Sequence, residues 1–122
     1  MVRAAVEHVL HGEHRHARIG VTFLGKTRMR RLNATHLGHD YPTDVISFPL
    51  PQPDGSVAGD VCICRYTAAR NARSHGSSVR DELLRLVIHG TLHVLGWDHP
   101  TGSARTESPM WLLQEKYLAG LR

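Results

Sequence analysis

No apolar run in the 122 residues approaches the ~20 residues that a membrane-spanning helix needs, which excludes an integral membrane protein of that kind. No basic segment followed by an apolar one opens the chain, so we expect no signal peptide and a cytoplasmic location. Internal repeats and low-complexity segments are also missing. With 41% hydrophobic residues, this length predicts one globular domain over residues 1–122.

Cysteine and lysine are both scarce. Cys62 and Cys64 are the two cysteines, and two residues apart on a predicted strand they cannot close an unstrained disulfide. We interpret them as small buried apolar residues in a reducing cytosol, with a metal-ligand pair as the alternative. Lys26 and Lys116 are the only lysines, so arginine supplies nearly all of the basic charge behind the formal net charge of +4. Arginine suits phosphate contacts, but a basic balance alone indicates nucleic acid only weakly.

Three strands and five helices are predicted from the spacing of the apolar residues and from the glycines and prolines between them. The predicted strands span residues 17–24, 45–48 and 57–64. The predicted helices span residues 1–12, 27–37, 65–75, 79–95 and 104–118. Thr27 and Ser78 are the expected N-terminal caps of the second and fourth helices, and Gly96 is placed to end the fourth in a left-handed conformation.

Two groups of basic residues outside the central motif have open interpretations. The N-terminal region carries four histidines whose spacing matches no structural zinc site: His8, His11, His14 and His16. We interpret them as a solvated helix end and loop, with adventitious metal binding as the alternative. The second predicted helix has a basic side, which is typical of a solvated face, with RNA contact as the alternative: Arg28, Arg30 and Arg31.

The segment HGTLHVLGWDH, residues 89–99, contains three histidines. Residues four apart lie one above the other on a helix, so His89 and His93 can hold one ion from one face. Gly96 lets the helix end, so that the chain can turn back with His99. Three neutral imidazoles leave a fourth tetrahedral position open, which is the pattern of a catalytic zinc site. Histidines that only complete a core would not need this spacing. We therefore predict a metal site, with zinc ahead of nickel, copper and iron.

The spacing of these histidines is also that of the metzincin proteases, H-E-x-x-H-x-x-G-x-x-H. The residue after the first histidine is Gly90, where the protease has the glutamate that acts as its general base. Glycine has no side chain for that task. The ligand set is retained and the protease base is missing, so peptidase activity is not expected.

HGTLHVLGWDH closely resembles the H-G-x-L-H-x-x-G-(Y/F/W)-D-H signature of the YbeY-type bacterial endoribonucleases, the rRNA maturation factors. Upstream, PTDVISFP resembles their T-D-V-L-S-F-P segment, and GDVCIC resembles their G-D-I-x-I-S strand. LNATHLGHD is similar to their L-N region. The order and spacing of these segments agree with the family over roughly residues 17–118.

The resemblance implies an α+β fold, in which a small mixed β-sheet is packed with helices and the zinc helix is like that of the zincins. It also implies a single-strand-specific metallo-endoribonuclease that holds one zinc ion through His89, His93 and His99. The implied substrates are ribosomal RNAs, including the 3′ end of 16S rRNA, with a role in ribosome quality control. Ribosomal RNA and ribosome or assembly proteins are the implied partners.

The chain departs from the family in the L-N-x-x-(Y/F)-R-G stretch, where Leu37 occupies the position of the arginine. A cation near the metal would stabilise the negative charge of a phosphoryl transition state. The candidates to replace it are His36 or His39, if protonated, and Arg85, one turn before His89. The alternative for each is a surface or rim residue, because helical spacing alone does not place a side chain in a cleft.

Other polar residues near the motif have weaker claims. Asp98 adjoins the third ligand, either as a partner that orients an imidazole or as a base, and the alternative is a turn-stabilising aspartate. Glu82, two turns before His89, either bonds into the site or favours the helix N-terminus. Asp44, which lies with Thr43 and Ser47 in the matched strand segment, is expected to cap or brace the cleft. Trp97 is expected to anchor packing, with base stacking as the alternative.

These observations support two hypotheses of different classes. The first is a zinc-dependent endoribonuclease of rRNA maturation, with the three histidines as ligands and Asp98, Arg85 and His39 as candidate catalytic residues. The second is a zinc-stabilised ribosome-assembly factor with weak or no cleavage, which Leu37 favours. A zincin-type peptidase is a third possibility, and Gly90 counts against it.

Overall fold

The computed structural model describes residues 1–100 and 102–122. Within them the chain forms five α-helices, three β-strands and one short 3-10 helix. The helices are α1 (Val2–Gly12), α2 (Lys26–Leu37), α3 (Arg65–His75), α4 (Val79–Val94) and α5 (Pro109–Gly120), with the 3-10 helix at Gly102–Glu107. The strands are β1 (Arg18–Leu24), β2 (Val45–Pro49) and β3 (Ala58–Cys64). The predicted α+β class is confirmed, and no helix in the described residues is long and apolar enough to cross a membrane.

The three strands form one mixed sheet in the order β1-β3-β2. β1 runs parallel to β3, and β2 runs antiparallel to it with Ser47 opposite Val61. Side chains alternate across a strand, so Val61 and Ile63 face the main core while Cys62 and Cys64 pack with residues of α2. Both cysteines are free thiols, as the strand geometry predicts.

The central helix α4 packs on the main-core face of the sheet and is flanked by α1, α3 and α5. Val87, Ile88 and Leu92 are completely buried, so this helix forms the centre of the hydrophobic core. Ser78 caps it as predicted, because the Ser78 hydroxyl accepts a hydrogen bond from the Asp81 N–H at 3.0 Å. The helix that carries two of the predicted ligands is therefore the most firmly packed element of the described fold.

Gly90 allows α4 to approach the sheet closely. A Cβ atom on Gly90 would lie 2.4 Å from Cγ1 of Val61 and 3.1 Å from Oγ of Ser47. The Ser47 hydroxyl donates a hydrogen bond to the Gly90 carbonyl at 3.3 Å. A glutamate in place of Gly90, as in the metzincin pattern, would be directed into the sheet. The close approach also fixes the position of His89, the preceding residue, relative to β2 and β3.

Two helix starts differ from the prediction. α2 begins one residue before Thr27 with Gly25 in the N-cap position, so Thr27 lies inside the helix and does not cap it. α5 begins at Pro109 and not near residue 104, because the Ser108 hydroxyl caps it by accepting an N–H of the first turn. Proline fits the first turn of a helix but would break a helix that ran through it from residue 104. A 3-10 helix occupies that stretch instead: Gly102–Glu107.

Candidate metal centre

His89 and His93 project from α4 one helical turn apart, and His99 follows the turn that begins at Gly96. Gly96 has a φ of +103°, the left-handed conformation expected from its position after the helix. The ring centroids of the three histidines lie 4.6, 5.0 and 5.1 Å apart. One nitrogen from each ring lies within 4.8 Å of the others. The three predicted ligands are therefore placed to hold a single metal ion.

The other nitrogen of each ring is held by an oxygen atom. His89 Nδ1 lies 2.6 Å from Gln114 Oε1. His93 Nδ1 lies 2.9 Å from the Trp97 carbonyl oxygen, and His99 Nδ1 lies 2.8 Å from the Pro100 carbonyl oxygen. A carbonyl oxygen only accepts hydrogen bonds, so each Nδ1 must carry the proton that it donates. The Nε2 of each neutral ring then keeps its lone pair for a metal. The fold thus sets both the orientation and the tautomer of the three imidazoles.

Burial keeps two of these imidazoles neutral. It lowers the pKa of His89 to about 4, against the opposing effect of the hydrogen bond to Gln114, and electrostatic interactions with His93, His99 and Arg105 add to the lowering. Burial also lowers the pKa of His93, with the charge of His99 as the next cause. A metal binds neutral imidazole, so these rings need not lose a proton near neutral pH before they bind an ion.

A chain of polar contacts links His89 to a buried ion pair. Gln114 Nε2 donates to Glu115 Oε2 at 3.1 Å, which orients the amide so that Oε1 faces His89. Arg85 Nε donates to Glu115 at 2.9 Å, and Arg85 Nη1 donates to Glu82 at 2.7 Å. The Glu82 side chain is only 4% exposed. Arg85, a candidate for charge stabilisation at the metal, therefore has its charge matched by two carboxylates and is linked to His89 only through Glu115 and Gln114.

His89 opens onto a cleft formed by the start of β2, by α3, α4 and α5, and by the 3-10 helix. Arg105 lines this cleft, and its guanidinium lies 5.4 Å from the centre of the Trp111 ring. Asp44 and Asn71 also line it, and Asn71 Nδ2 donates to Asp44 Oδ2 at 3.1 Å. Asp44 thereby joins α3 to the start of β2. The cleft offers a guanidinium, an amide and a carboxylate beside the histidine cluster.

Asp98 and Trp97 lie in the turn that carries His99, the third predicted ligand. Asp98 is exposed, and its Oδ1 accepts a hydrogen bond from the His99 N–H at 2.9 Å, which stabilises the turn. The described contacts of the three imidazoles do not include the Asp98 carboxylate. Trp97 Nε1 donates to Glu13 at 2.7 Å, and the ring packs against the main core. Trp97 is therefore a packing anchor, as expected.

The end of α2 carries the other candidate cations. His36 packs edge-on against Phe48, with ring centroids 5.1 Å apart. His39 lies beside Tyr41, with ring centroids 5.5 Å apart. Leu37 is 55% exposed. Among the described residues that line the cleft, none comes from this stretch.

Two residues of the site are not predicted by the sequence patterns. Gln114 has a usable signal: it is a polar residue between Met110 and Tyr117 on the apolar face of α5, where a buried amide needs a partner. Arg105 has no such signal, because it belongs to a 3-10 helix whose path is not set by any hydrophobic spacing. Both are brought to His89 by tertiary packing.

Comparison with known proteins identifies the family. A sequence profile described as endoribonuclease YbeY matches residues 1–122. The chain belongs to the endoribonuclease YbeY family. The endoribonuclease YbeY of Chloroherpeton thalassium is 39% identical over 121 residues, which cover 98% of this chain and 84% of that protein. The one from Alkalilimnicola ehrlichii is 40% identical over 110 residues, or 86% of this chain and 65% of that protein.

The fold is shared with a solved structure. The solution structure of a protein from Thermotoga maritima is 32% identical in sequence and superposes with a TM-score of 0.68. The match covers 96% of this chain and 76% of the Thermotoga protein. Membership of the YbeY family supports an endoribonuclease role, as the sequence resemblance predicted.

Proposed function

We propose that this YbeY-family chain is a zinc-dependent endoribonuclease that cleaves single-stranded RNA in the maturation of ribosomal RNA. The observation that carries the proposal is the convergence of His89, His93 and His99 beside an open cleft. The resemblance in the metal signature extends the proposal to the 3′ end of 16S rRNA and to ribosome quality control. It also suggests a cytoplasmic setting with ribosome and assembly proteins as partners.

Three imidazoles of fixed tautomer fit one zinc ion, because catalytic zinc sites use three protein ligands and keep a fourth position open. When bound, zinc supplies a Lewis acid for a phosphoryl oxygen and lowers the pKa of water to about 7. The protein itself orients the three Nε2 atoms, because Gln114 and the carbonyls of Trp97 and Pro100 hold the Nδ1 atoms of the rings. Rigid ligands of this kind reduce the cost of binding the ion.

Arg105 is the cation of the described cleft that is best placed to contact a phosphate. Arg85 is already matched by two carboxylates, and Leu37 has replaced the family's arginine. Arg105 is exposed, lines the cleft with His89, and adds to the lowering of the His89 pKa through its charge. A guanidinium there would stabilise the negative charge that develops on the phosphoryl oxygens. We infer that Arg105 takes over the task of the arginine that is missing at position 37.

The two other candidate catalytic residues have different claims. Asp98 is exposed and adjoins His99, which suits it to accept a proton from the attacking group. His39 lies beside Tyr41 and not in the cleft, so its proposed task is contact with RNA outside the scissile bond.

One observation favours a second function. Leu37 is an exposed apolar side chain at the position where the family pattern has arginine. If no other cation stabilises the phosphoryl group, the nuclease activity would be weaker. The chain would then act as a ribosome-assembly factor in which zinc mainly holds His99 and its turn to α4. The two functions differ in whether RNA is cut.

The test is cleavage of a labelled single-stranded rRNA fragment by the zinc-loaded chain, beside a duplex of the same sequence. We expect the single strand to be cut and the duplex to be spared. His93→Ala should abolish cleavage, and His16→Ala, an exposed histidine near α1, should not. Circular dichroism checks that both variants are folded. Zinc binding without cleavage by the unmodified chain would favour the assembly factor, and cleavage retained by His93→Ala would refute the proposed site.

A further inference from the structure

Positive charge is concentrated on two helices that face each other. Seven of the chain's 15 lysines and arginines belong to α2 and α3, and the sequences of both helices contain no aspartate or glutamate. All seven are exposed: Lys26, Arg28, Arg30, Arg31, Arg65, Arg70 and Arg73. Cations on a solvated helix face usually alternate with carboxylates, so two neighbouring helices without any carboxylate favour an anionic partner.

α2 and α3 enclose a groove whose walls combine charge with aromatic rings. It is lined by Lys26 and Arg30 of α2, by Tyr66 and Arg70 of α3, and by the segment that contains Tyr41. Lys26 Nζ lies 4.7 Å and Arg70 Cζ 5.9 Å from the centre of the Tyr66 ring. Tyr66 is 45% exposed and Tyr41 54% exposed. We call this the basic groove.

The charge of the basic groove is only partly neutralised. Asp40 is the acidic residue among its lining, and it forms a two-pronged pair with Arg30 at 2.8 and 3.1 Å. That pair lowers the pKa of Asp40, chiefly through the hydrogen bond from Arg30, so the carboxylate stays charged and bound to this partner. Lys26 and Arg70 meet the Tyr66 ring and form no ion pair among the described residues. Their charge is available to a ligand.

The cleft onto which His89 opens, which we call the metal cleft, is formed by residues that directly follow those of the basic groove along the chain. Residues 40–42 line the groove, and Asp44, two residues further on, lines the cleft. On α3, Arg70 lines the groove and the adjacent Asn71 lines the cleft. The hydrogen bond from Asn71 to Asp44 therefore lies at the boundary between the two sites. A flexible polyanion can occupy both only by passing this boundary.

We propose that the basic groove binds the phosphates of the single-stranded RNA that flanks the bond cleaved at the metal cleft. The inference rests on the proposed function, since it takes the substrate of that cleft to be RNA. Lysine and arginine with exposed tyrosine rings are the combination that single-stranded nucleic acid uses, because phosphates meet the cations and bases stack on the rings. An acidic protein would match the positive charge but would lack bases to stack on the exposed aromatic rings.

The test uses the full chain and two double variants that each remove two positive charges. Lys26→Gln/Arg70→Gln changes the basic groove, and Arg3→Gln/Arg80→Gln removes exposed arginines from α1 and α4 as a matched control. Binding of a fluorescein-labelled oligouridylate to metal-free protein is followed by anisotropy over a series of salt concentrations. Cleavage of a long single-stranded RNA and of a short oligonucleotide is then measured with zinc present.

We expect the groove variant to bind the probe roughly three- to thirtyfold more weakly than the unmodified chain, and the control to bind as the unmodified chain does. The slope of log affinity against log salt should become shallower by roughly 0.7 for each phosphate that the variant no longer neutralises. The groove variant should raise KM for the long RNA with little change in kcat and should leave the short substrate unaffected. Lys26→Arg/Arg70→Lys, which keeps both charges, should restore binding.

Equal binding by the groove and control variants would overturn the inference, as would the absence of salt-dependent binding by the unmodified chain. Polyglutamate that competes as well as RNA would assign the groove to an acidic protein and would also overturn it. The proposed function is judged separately. If His93→Ala abolishes cleavage while the groove variant behaves like the control, the nuclease stands without the groove. If binding depends on the groove but no metal restores cleavage, the groove stands and the nuclease does not.

Discussion

The Gln114 side chain is 1% exposed. Its amide oxygen accepts a hydrogen bond from His89 Nδ1, and its amide nitrogen donates one to Glu115. The residue is 25 positions from its histidine, so the hydrogen bond exists only because α5 packs on α4. Partners of this kind fix the ring of a metal ligand and raise its basicity. The candidate metal site therefore depends on two helices, although all three histidines come from one segment.

We expect Gln114→Leu to weaken zinc affinity by roughly 10- to 100-fold, because the side chain keeps its bulk but no longer accepts the His89 Nδ1 proton. Gln114→Glu, which keeps an acceptor oxygen, should bind zinc much more tightly than the leucine variant. Competition with a chromogenic chelator measures both, with Gln52→Leu as a remote glutamine control. Equal zinc affinity in the leucine variant and the unmodified chain would contradict the proposed support of His89.

Arg105→Gln should lower kcat/KM for RNA cleavage by roughly tenfold or more, because a cation that stabilises charge on the phosphoryl group is removed. Zinc content should not change, since Arg105 is not a ligand. Arg80→Gln, which removes an exposed arginine of α4 that does not line the cleft, is the comparison for net charge. Unchanged cleavage by Arg105→Gln would show that Arg105 does not replace the arginine that is missing at position 37.

At the residue scale, the sequence alone predicts the ligands but not their surroundings. The spacing of His89, His93 and His99 is a local pattern, because helical geometry and one glycine are enough to bring the three rings together. Arg85 shows the limit of such reasoning. Its helical position places it near the site, but the sequence does not reveal that Glu115 of α5 will bind it.

Among the elements, α4 depends on its close approach to β3 at Gly90. Alanine normally favours a helix over glycine by about 1 kcal/mol. Here its Cβ would lie 2.4 Å from Val61 Cγ1, and overpacking of this kind costs about 1–3 kcal/mol. The clash opposes the helical preference, and we expect the clash to dominate because Val61 is completely buried.

Gly90→Ala should therefore lower the free energy of unfolding, measured by urea denaturation. Val61→Ala also destabilises, because it leaves a cavity. The double variant should lose less stability than the two single losses added together, because the smaller residue at position 61 makes room for the new methyl group. Strictly additive losses would show that the two positions do not collide.

The elements whose bounds the sequence predicts well are those with local signals at both ends. α4 has Ser78 as its cap and Gly96 beyond its end, and both predictions are confirmed. The predicted start of α5 near residue 104 is wrong, because apolar spacing alone extends the helix beyond Ser108–Pro109, a pair that is itself a strong start signal.

In the whole molecule, Glu13 connects three parts of the chain. It follows α1 and accepts hydrogen bonds from Trp97 Nε1 at 2.7 Å and from the Tyr117 hydroxyl at 2.6 Å. Trp97 belongs to the turn that presents His99, and Tyr117 belongs to α5. The N-terminal helix is thereby tied to both elements that complete the candidate metal site.

The hydrogen bond of Tyr117 predicts a pH dependence of stability. Burial, with the hydrogen bond and charge of Glu13, raises the pKa of Tyr117 to about 12, above the value of about 10 in an unfolded chain. A raised pKa means that the folded state binds the proton more tightly, so this contribution is complete below pH 10 and is lost as pH rises to about 12. The stability difference between the unmodified chain and Tyr117→Phe should be constant up to about pH 10 and should then narrow. A difference that stays constant to pH 12 would contradict this hydrogen bond.

The sheet order is the feature of the whole fold that the sequence does not reveal. Three strands are predicted close to their observed positions, but nothing local indicates that β3 lies between β1 and β2 or that one neighbour is parallel and the other antiparallel. The fold class came from the family resemblance. The order follows from long-range packing of α4 and α2 on opposite faces of β3.

The most direct measurement is a titration of the metal-free chain with zinc, in which the cleavage rate of single-stranded RNA is recorded at each step. Cleavage should be absent at the start, rise with each addition and reach its plateau at one zinc ion per chain, as one cluster of three histidines predicts. The cleavage rate of the His93→Ala variant should stay at its starting value through the same titration. Cleavage by the metal-free chain, or full occupancy by zinc without cleavage, would contradict a metal-centred ribonuclease.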